Sequence, residues 1–273
     1  MKMRVKKRAF TLIELLVVIA IIALLMAILM PALRAAKDQA RRLHCISNVR
    51  TLALAWFIYK DENNDKLVGG CVHSGNDPDG QSYNEIAWVK VPQGNDPDPI
   101  ERKKAGIRAG LLFPYVKEVD VYRCPSDRRK LVPGQEAFRT YSISGGANGE
   151  YGYWGIWKPV TKYSEIKNPA TKVIFFEEAD PRGWNEGSWI MDPDDLTEWV
   201  DPFATWHGRR STLGFADGRA EMHKWIDNST IEYSEDAVEA CLNPDINFTF
   251  GRNVPSGEGE DIRFMAQGYP HKY

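Results

Sequence analysis

From Phe10 to Leu33 the chain is apolar at every position except Thr11 and Glu14. A helix of about 24 residues rises roughly 36 Å, enough to cross a bilayer with some tilt. Beyond it Leu33, Ala36, Ala40, Leu43, Ile46, Val49, Ala53, Trp56 and Phe57 recur at three- and four-residue steps, with Arg34, Lys37, Arg41, Arg42 and Arg50 on or near the other face. That periodicity predicts an amphipathic continuation over residues 34–60, packed on a domain or against a second subunit. Pro31 predicts either a kink between Met26 and Pro31 or a helix boundary.

Between Asp61 and Gly110 the pattern breaks into Asp, Asn, Gly and Pro, as in 75–80 and 94–99, predicting long surface loops. The charged tract Glu101-Arg102-Lys103-Lys104 falls among them and is expected to be a solvated loop. Strand-like pieces follow at Thr140–Ile143 and Lys172–Glu177. Leu213–Ala216 and Arg219–Trp225 flank Asp217-Gly218, which predicts a two-residue type I′ hairpin with both central residues at positive φ. Residues 228–273 hold turn residues and few apolar runs, and are expected to wrap the surface. The whole reads as α+β: one long N-terminal helix, then a mostly antiparallel sheet domain over 61–273 with long loops.

Glu14 is the expensive residue. A lone carboxylate in a membrane-length helix costs roughly 2.5 kcal/mol or more, so it implies a function and a partner. The basic leader 1–9, with Lys2, Arg4, Lys6, Lys7 and Arg8, also fits a secretory signal peptide, but the far end of the apolar run lacks a small-x-small cleavage site. A plain uncleaved anchor explains the length and leader but not Glu14. The stretch Lys6-Lys7-Arg8-Ala9-Phe10-Thr11-Leu12-Ile13-Glu14 through Ile21 resembles the N-terminal signal of type IV pilins and type II secretion pseudopilins. The resemblance implies that a prepilin peptidase cuts between Ala9 and Phe10 and N-methylates the new terminus; Ala9 stands where that family normally has Gly. It also implies that Glu14 neutralises the Phe10 amine of a neighbouring pilin-like subunit. By the same token the anchor lies in a bacterial inner membrane, N-terminus cytoplasmic and domain periplasmic. The positive charges flanking both sides of the run give no orientation by themselves.

His207, nine residues and Asp217-Gly218 resemble the His-x9-Asp-Gly element (207–218) of a group of pseudopilin-like proteins. Arg41 to Arg50 and Tyr122-Arg123-Cys124-Pro125-Ser126-Asp127 resemble the same group. A catalytic His207–Asp217 pair would need an oriented nucleophile, and no Ser or Cys elbow accompanies it. Asp217 is better explained by the turn and His207 as a hydrogen-bonded anchor. Glu177, Glu178, Asp180, Asp192, Asp194 and Asp195 could supply a glycosidase-like carboxylate pair, which sequence spacing cannot test. The expectation is a structural protein, not an enzyme.

The net charge of −2 and the lack of a nucleic-acid motif point away from nucleic acid as a partner. Asp61-Glu62-Asn63-Asn64-Asp65 offers alternating oxygens, and the pseudopilin resemblance brings calcium to mind. The segment lacks an EF-hand's sixth-position Gly and distal Glu, so a helix-ending turn is the plainer reading. No Cys-x-x-Cys or His-Glu-x-x-His spacing marks zinc, and no cofactor is expected. The four cysteines, Cys45, Cys71, Cys124 and Cys241, allow three full pairings. Cys45 with Cys124 would tie the helix to the domain, and free buried thiols are the alternative. Trp154, Trp157, Trp184, Trp189, Trp199 and Trp206 carry the rival function, an anchored carbohydrate-binding or hydrolytic domain. Exposure of three or more beside paired carboxylates would favour it.

Overall fold

The computed structural model describes residues 11–72, 80, 82–131, 138–150, 157–181, 188–243 and 245–273. Ala9, Phe10, Trp154, Trp184 and the turn-rich 75–79 stretch lie outside them.

One helix, α1, runs from Leu12 to Glu62. Pro31 sits inside it, so the boundary alternative for that residue is overturned. The helix stops where the polar turn begins: Asn64 and Asp65 take φ of 56° and 67°, and the Asp65 N–H donates to the Lys60 carbonyl at 2.9 Å. Asn and Asp adopt this left-handed conformation more readily than most residues.

The chain divides into two compact units, Met1–Ala40 and Arg41–Tyr273. In the first, an apolar stretch of α1 with a mean hydropathy of 3.2 buries none of its residues. Leu12 to Leu33 are exposed there, whereas an apolar helix in a soluble core would be covered. Length and surface both suit lipid.

The second unit is built on a five-stranded mixed sheet in the order β3-β1-β2-β5-β6. Its strands are β1 (Tyr141–Ser144), β2 (Val173–Glu177), β3 (Ser188–Trp189), β5 (Arg210–Phe215) and β6 (Ala220–Lys224). Only β1 with β3 is parallel; the other pairings are antiparallel. A short ribbon of β4 (Glu198–Trp199) and β7 (Arg252–Asn253) lies apart. The sheet is covered on both faces, so β2 is buried at all its positions, as a central strand requires. Phe175 and Ile143 belong to one core with Cys45, Val49, Leu52, Ala53 and Trp56 of α1. Phe176, Leu213 and Phe215 belong to a second, with Trp189, Trp225, Ile231, Ile262 and Met265.

Three sequence expectations fail. The loop region contains a helix, α3 (Pro99–Arg108), besides the single turn α2 (Tyr83–Ile86); another single turn, α4 (Phe113–Val116), follows it. Asp98 caps α3 by accepting the Ile100 N–H at 2.8 Å, and Pro99 fits the first turn because its missing N–H would be unpaired anyway. The tract 101–104 is therefore a half-buried helix face, not a solvated loop. Nor does the C-terminal stretch merely wrap the surface: α5 (Asn228–Leu242) and α6 (Glu260–Gly268) bury Ile231, Tyr233, Val238, Ile262 and Met265. Finally, the β5–β6 turn is not type I′. Gly218 has φ of 87°, but Asp217 is not at positive φ. Phe215 N–H donates to the Arg219 carbonyl and Gly218 N–H to the Phe215 carbonyl, both at 2.9 Å. This is a three-residue loop, a tight turn followed by a left-handed glycine.

Candidate functional site

Two places in the chain bring chemistry together. The first is the start of α1. Thr11 N–H and Oγ–H both donate to Glu14 Oε2, at 2.9 and 2.8 Å, and Glu14 N–H donates back to Thr11 Oγ1 at 3.3 Å. This is a reciprocal capping box, satisfying orphan donors at the helix N-terminus and placing a carboxylate at its positive end. Threonine three residues before glutamate is the signal for it, and it gives Glu14 a partner within its own chain. Both bonds fall on Oε2. Among the described residues Oε1 accepts no bond, so the second oxygen stays available to another donor.

Residues 4–30 match the family described as the prokaryotic N-terminal methylation motif. The chain carries a prepilin-type methylation signal. The signal supports a precursor of the pilin or pseudopilin type and implies, in general terms, processing by a prepilin peptidase; with the exposed apolar helix it suggests a membrane anchor. It ends at Met30 and does not reach His207, Asp217 or Gly218. No curated protein and no solved structure matches the chain.

The second place is buried in the Arg41–Tyr273 unit. Cys45 of α1, Cys124 from the segment before β1, Glu177 of β2 and His207 just ahead of β5 bring their ligand-type atoms within 4.8 Å of one another. Cys45 and Cys124 Sγ are 2.8 Å apart as free thiols. His207 Nε2 lies 3.3 Å from Cys124 Sγ and 3.2 Å from Glu177 Oε1. Hydrogen bonding from Cys124 lowers the Cys45 pKa, while burial holds that of Cys124 well above the thiol range. Burial opposes the charge on His207, but contacts with Cys45 and Glu177 outweigh it and push the imidazole up to about 10. The cluster thus holds an imidazole whose charged form is favoured, with two sulfurs and a carboxyl oxygen within reach of it.

Behind Cys124 lies a second buried network. Its N–H donates to Thr140 Oγ1 at 3.0 Å, and that hydroxyl donates to Asp127 Oδ2 at 2.7 Å. Asp127 pairs with Arg129 at 2.9 Å, both side chains wholly buried, and Arg129 also donates to the Asp180 and Arg139 carbonyls. The Cys124-Pro125-Ser126-Asp127 element therefore supplies a sulfur to one cluster and a carboxylate to the other.

The remaining candidates are not gathered. Asp217 accepts the Arg219 N–H in its own turn at 3.1 Å, while His207 is engaged with Glu177 and Cys124. Glu178 accepts Ser142 Oγ–H in the interior, whereas Asp194 and Asp195 are exposed, so these carboxylates do not line one cleft. In the 61–65 segment Asp65 accepts Ser164 N–H at 3.0 Å, Glu62 accepts Tyr115 O–H at 2.7 Å and Asp61 pairs with Lys60. Those oxygens tie the end of α1 to Ser164, Tyr115 and Lys60. Trp157, Trp189 and Trp199 are buried and Trp206 is half-buried. Among the described residues no tryptophan of the proposed sugar platform is exposed.

Proposed function

We propose that this chain is a pseudopilin-like structural subunit of a type II secretion or type IV pilus-related filament. It is cut between Ala9 and Phe10 by a prepilin peptidase, N-methylated at Phe10, and held in a bacterial inner membrane with its N-terminus cytoplasmic and its domain periplasmic. The observation that carries the reading is the methylation signal at residues 4–30, with Glu14 inside an otherwise apolar, uncovered helix. A subunit arriving with a cationic Phe10 amine would find Glu14 Oε1 of its neighbour, and pairing the charges relieves the penalty each bears in hydrocarbon. In this role the chain is the substrate of a reaction and catalyses none. Its partners are the peptidase, other pilin-like subunits and the membrane, with no nucleic acid, and assembly calls on no cofactor.

Burial of the described tryptophans counts against the rival, an anchored sugar-binding or hydrolytic domain, because stacking on a sugar requires an exposed ring face. Mass spectrometry of the mature N-terminus tests the proposal. A chain starting at N-methylated Phe10 supports it, while an intact Met1 terminus or a cut beyond Leu33 would overturn it.

A further inference from the structure

We propose that Cys45, Cys124, His207 and Glu177 form a structural zinc site that clamps the membrane-distal half of α1 to the sheet. Two sulfurs, one imidazole nitrogen and one carboxylate oxygen are the donor set Zn2+ accepts, and four protein donors make a closed structural site. All four residues are buried, and their donor atoms already lie within 4.8 Å of one another. They come from four separate stretches of chain, 79, 83 and 30 residues apart along the contacts Cys45–Cys124, Cys124–His207 and Glu177–His207. No local Cys-x-x-Cys spacing would reveal such a site.

A disulfide accounts for only two of the four residues. The sulfurs stand at 2.8 Å, between the roughly 2.05 Å of a disulfide and the separation of about 3.8 Å that two thiolates keep on tetrahedral zinc. Opening them onto a metal takes about 1 Å more separation between the sulfurs, within reach of side-chain rotation. The disulfide alternative leaves Glu177 and His207 buried against each other and outside the bond, although their donor atoms face the same point as the sulfurs. A divalent ion takes all four donors at once, and whatever protons they carry leave to solvent on binding.

The surroundings are those of an outer shell. Ser126 N–H donates to Cys124 Sγ at 3.3 Å, and Thr212 N–H reaches Glu177 Oε2 at 3.4 Å. The buried Tyr141 hydroxyl borders both sulfurs. Such groups orient ligands and tune a metal.

The test is elemental analysis of the full-length chain purified in detergent without chelator, with alkylation of thiols before and after denaturation in EDTA. About one zinc per chain is expected, with Cys45 and Cys124 alkylated only after denaturation with chelator. Cobalt substitution of the same protein should give the intense thiolate-to-cobalt band of a tetrahedral site, which needs no variant. Glu177→Gln removes an anionic ligand and should lower zinc affinity by at least the roughly 10- to 100-fold that loss of an outer-shell partner alone costs. Metal-free protein with a Cys45–Cys124 disulfide by peptide mapping would overturn the proposal. So would zinc retained at full stoichiometry in Cys124→Ser.

Discussion

The amide and the hydroxyl of Thr11 both donate to one carboxylate oxygen of Glu14, at 2.9 and 2.8 Å. The residue that makes the membrane helix costly is also the residue that caps it, and the two roles can be separated. Glu14→Gln keeps an acceptor for Thr11 and loses the charge; Thr11→Ala weakens the cap by about 0.5–2 kcal/mol and keeps the charge. If the charge recruits subunits, Glu14→Gln and Glu14→Val should both insert, be processed and fail to assemble, while Thr11→Ala assembles. Microscopy or pull-down from cells reads the outcome. Normal filaments from Glu14→Gln would reduce Glu14 to a cap.

Gly214 lies under α1. A Cβ there would sit 2.7 Å from Val49 Cγ1 and 3.3 Å from Phe175 Cβ, both in a close-packed interior. Gly214→Ala should therefore destabilise the domain by about 1–3 kcal/mol through overpacking. Thermal unfolding in detergent checks this, and a companion Val49→Ala should recover part of the loss. Full additivity of the two losses would show that they do not meet.

Arg129 and Asp127 form an ion pair out of reach of water. Removing either partner strands the other charge, so Arg129→Ala should cost about 3–5 kcal/mol. Arg129→Lys should recover little of that, because a lysine cannot reproduce the fork that reaches Asp127 and the carbonyls of Asp180 and Arg139. Denaturant melts of the two variants give the comparison.

Asp201 predicts a pH dependence. Burial and the nearby Glu178 carboxylate raise its pKa well above the usual range, against the opposing Ile190 N–H bond of 2.8 Å. The folded chain thus holds a proton that the unfolded chain releases at lower pH. This residue's contribution to stability is fully present below the ordinary Asp pKa of about 3.9 and is lost as pH rises toward the folded value. Asp201→Asn, neutral and still able to accept from Ile190, should raise the Tm at pH 7–8. The advantage should shrink toward pH 4. An advantage independent of pH would contradict the buried-acid account.

How legible this was depended on the reach of each interaction. The apolar run from Phe10 and the three- and four-step stripe through Val49, Ala53 and Trp56 announce α1, because a helix face is written in consecutive residues. The cap of α3 was equally local, in Asp98-Pro99, yet it was hidden among turn residues of the same kinds. α5 was harder: Asn228-Ser229-Thr230 are poor helix formers, and the buried face at Ile231, Ser234, Val238 and Cys241 includes a serine that apolar counting passes over. Asp-Gly at 217–218 correctly marks a hairpin, but whether two residues or three bridge it depends on pairing beyond the turn. At the buried cluster the sequence offered His207 and the cysteines separately. Nothing local to β2 says that Glu177, rather than Asp217, meets the imidazole, because that choice is made by the pairing of β2 with β5.

The half of α1 beginning at Arg41 is synthesised early and buried late. Val49, Leu52, Ala53 and Trp56 are finished before β2 and β5 exist, yet those strands hold Phe175 and Gly214, against which the helix comes to rest. Until then that apolar stripe is uncovered. Anchoring the chain by that same helix keeps each stripe near its own later partners and away from those of other chains. Cutting the anchor free would turn an ordered closure into a race with aggregation, so a soluble version of this domain should be sought by keeping the helix from Arg41 onward.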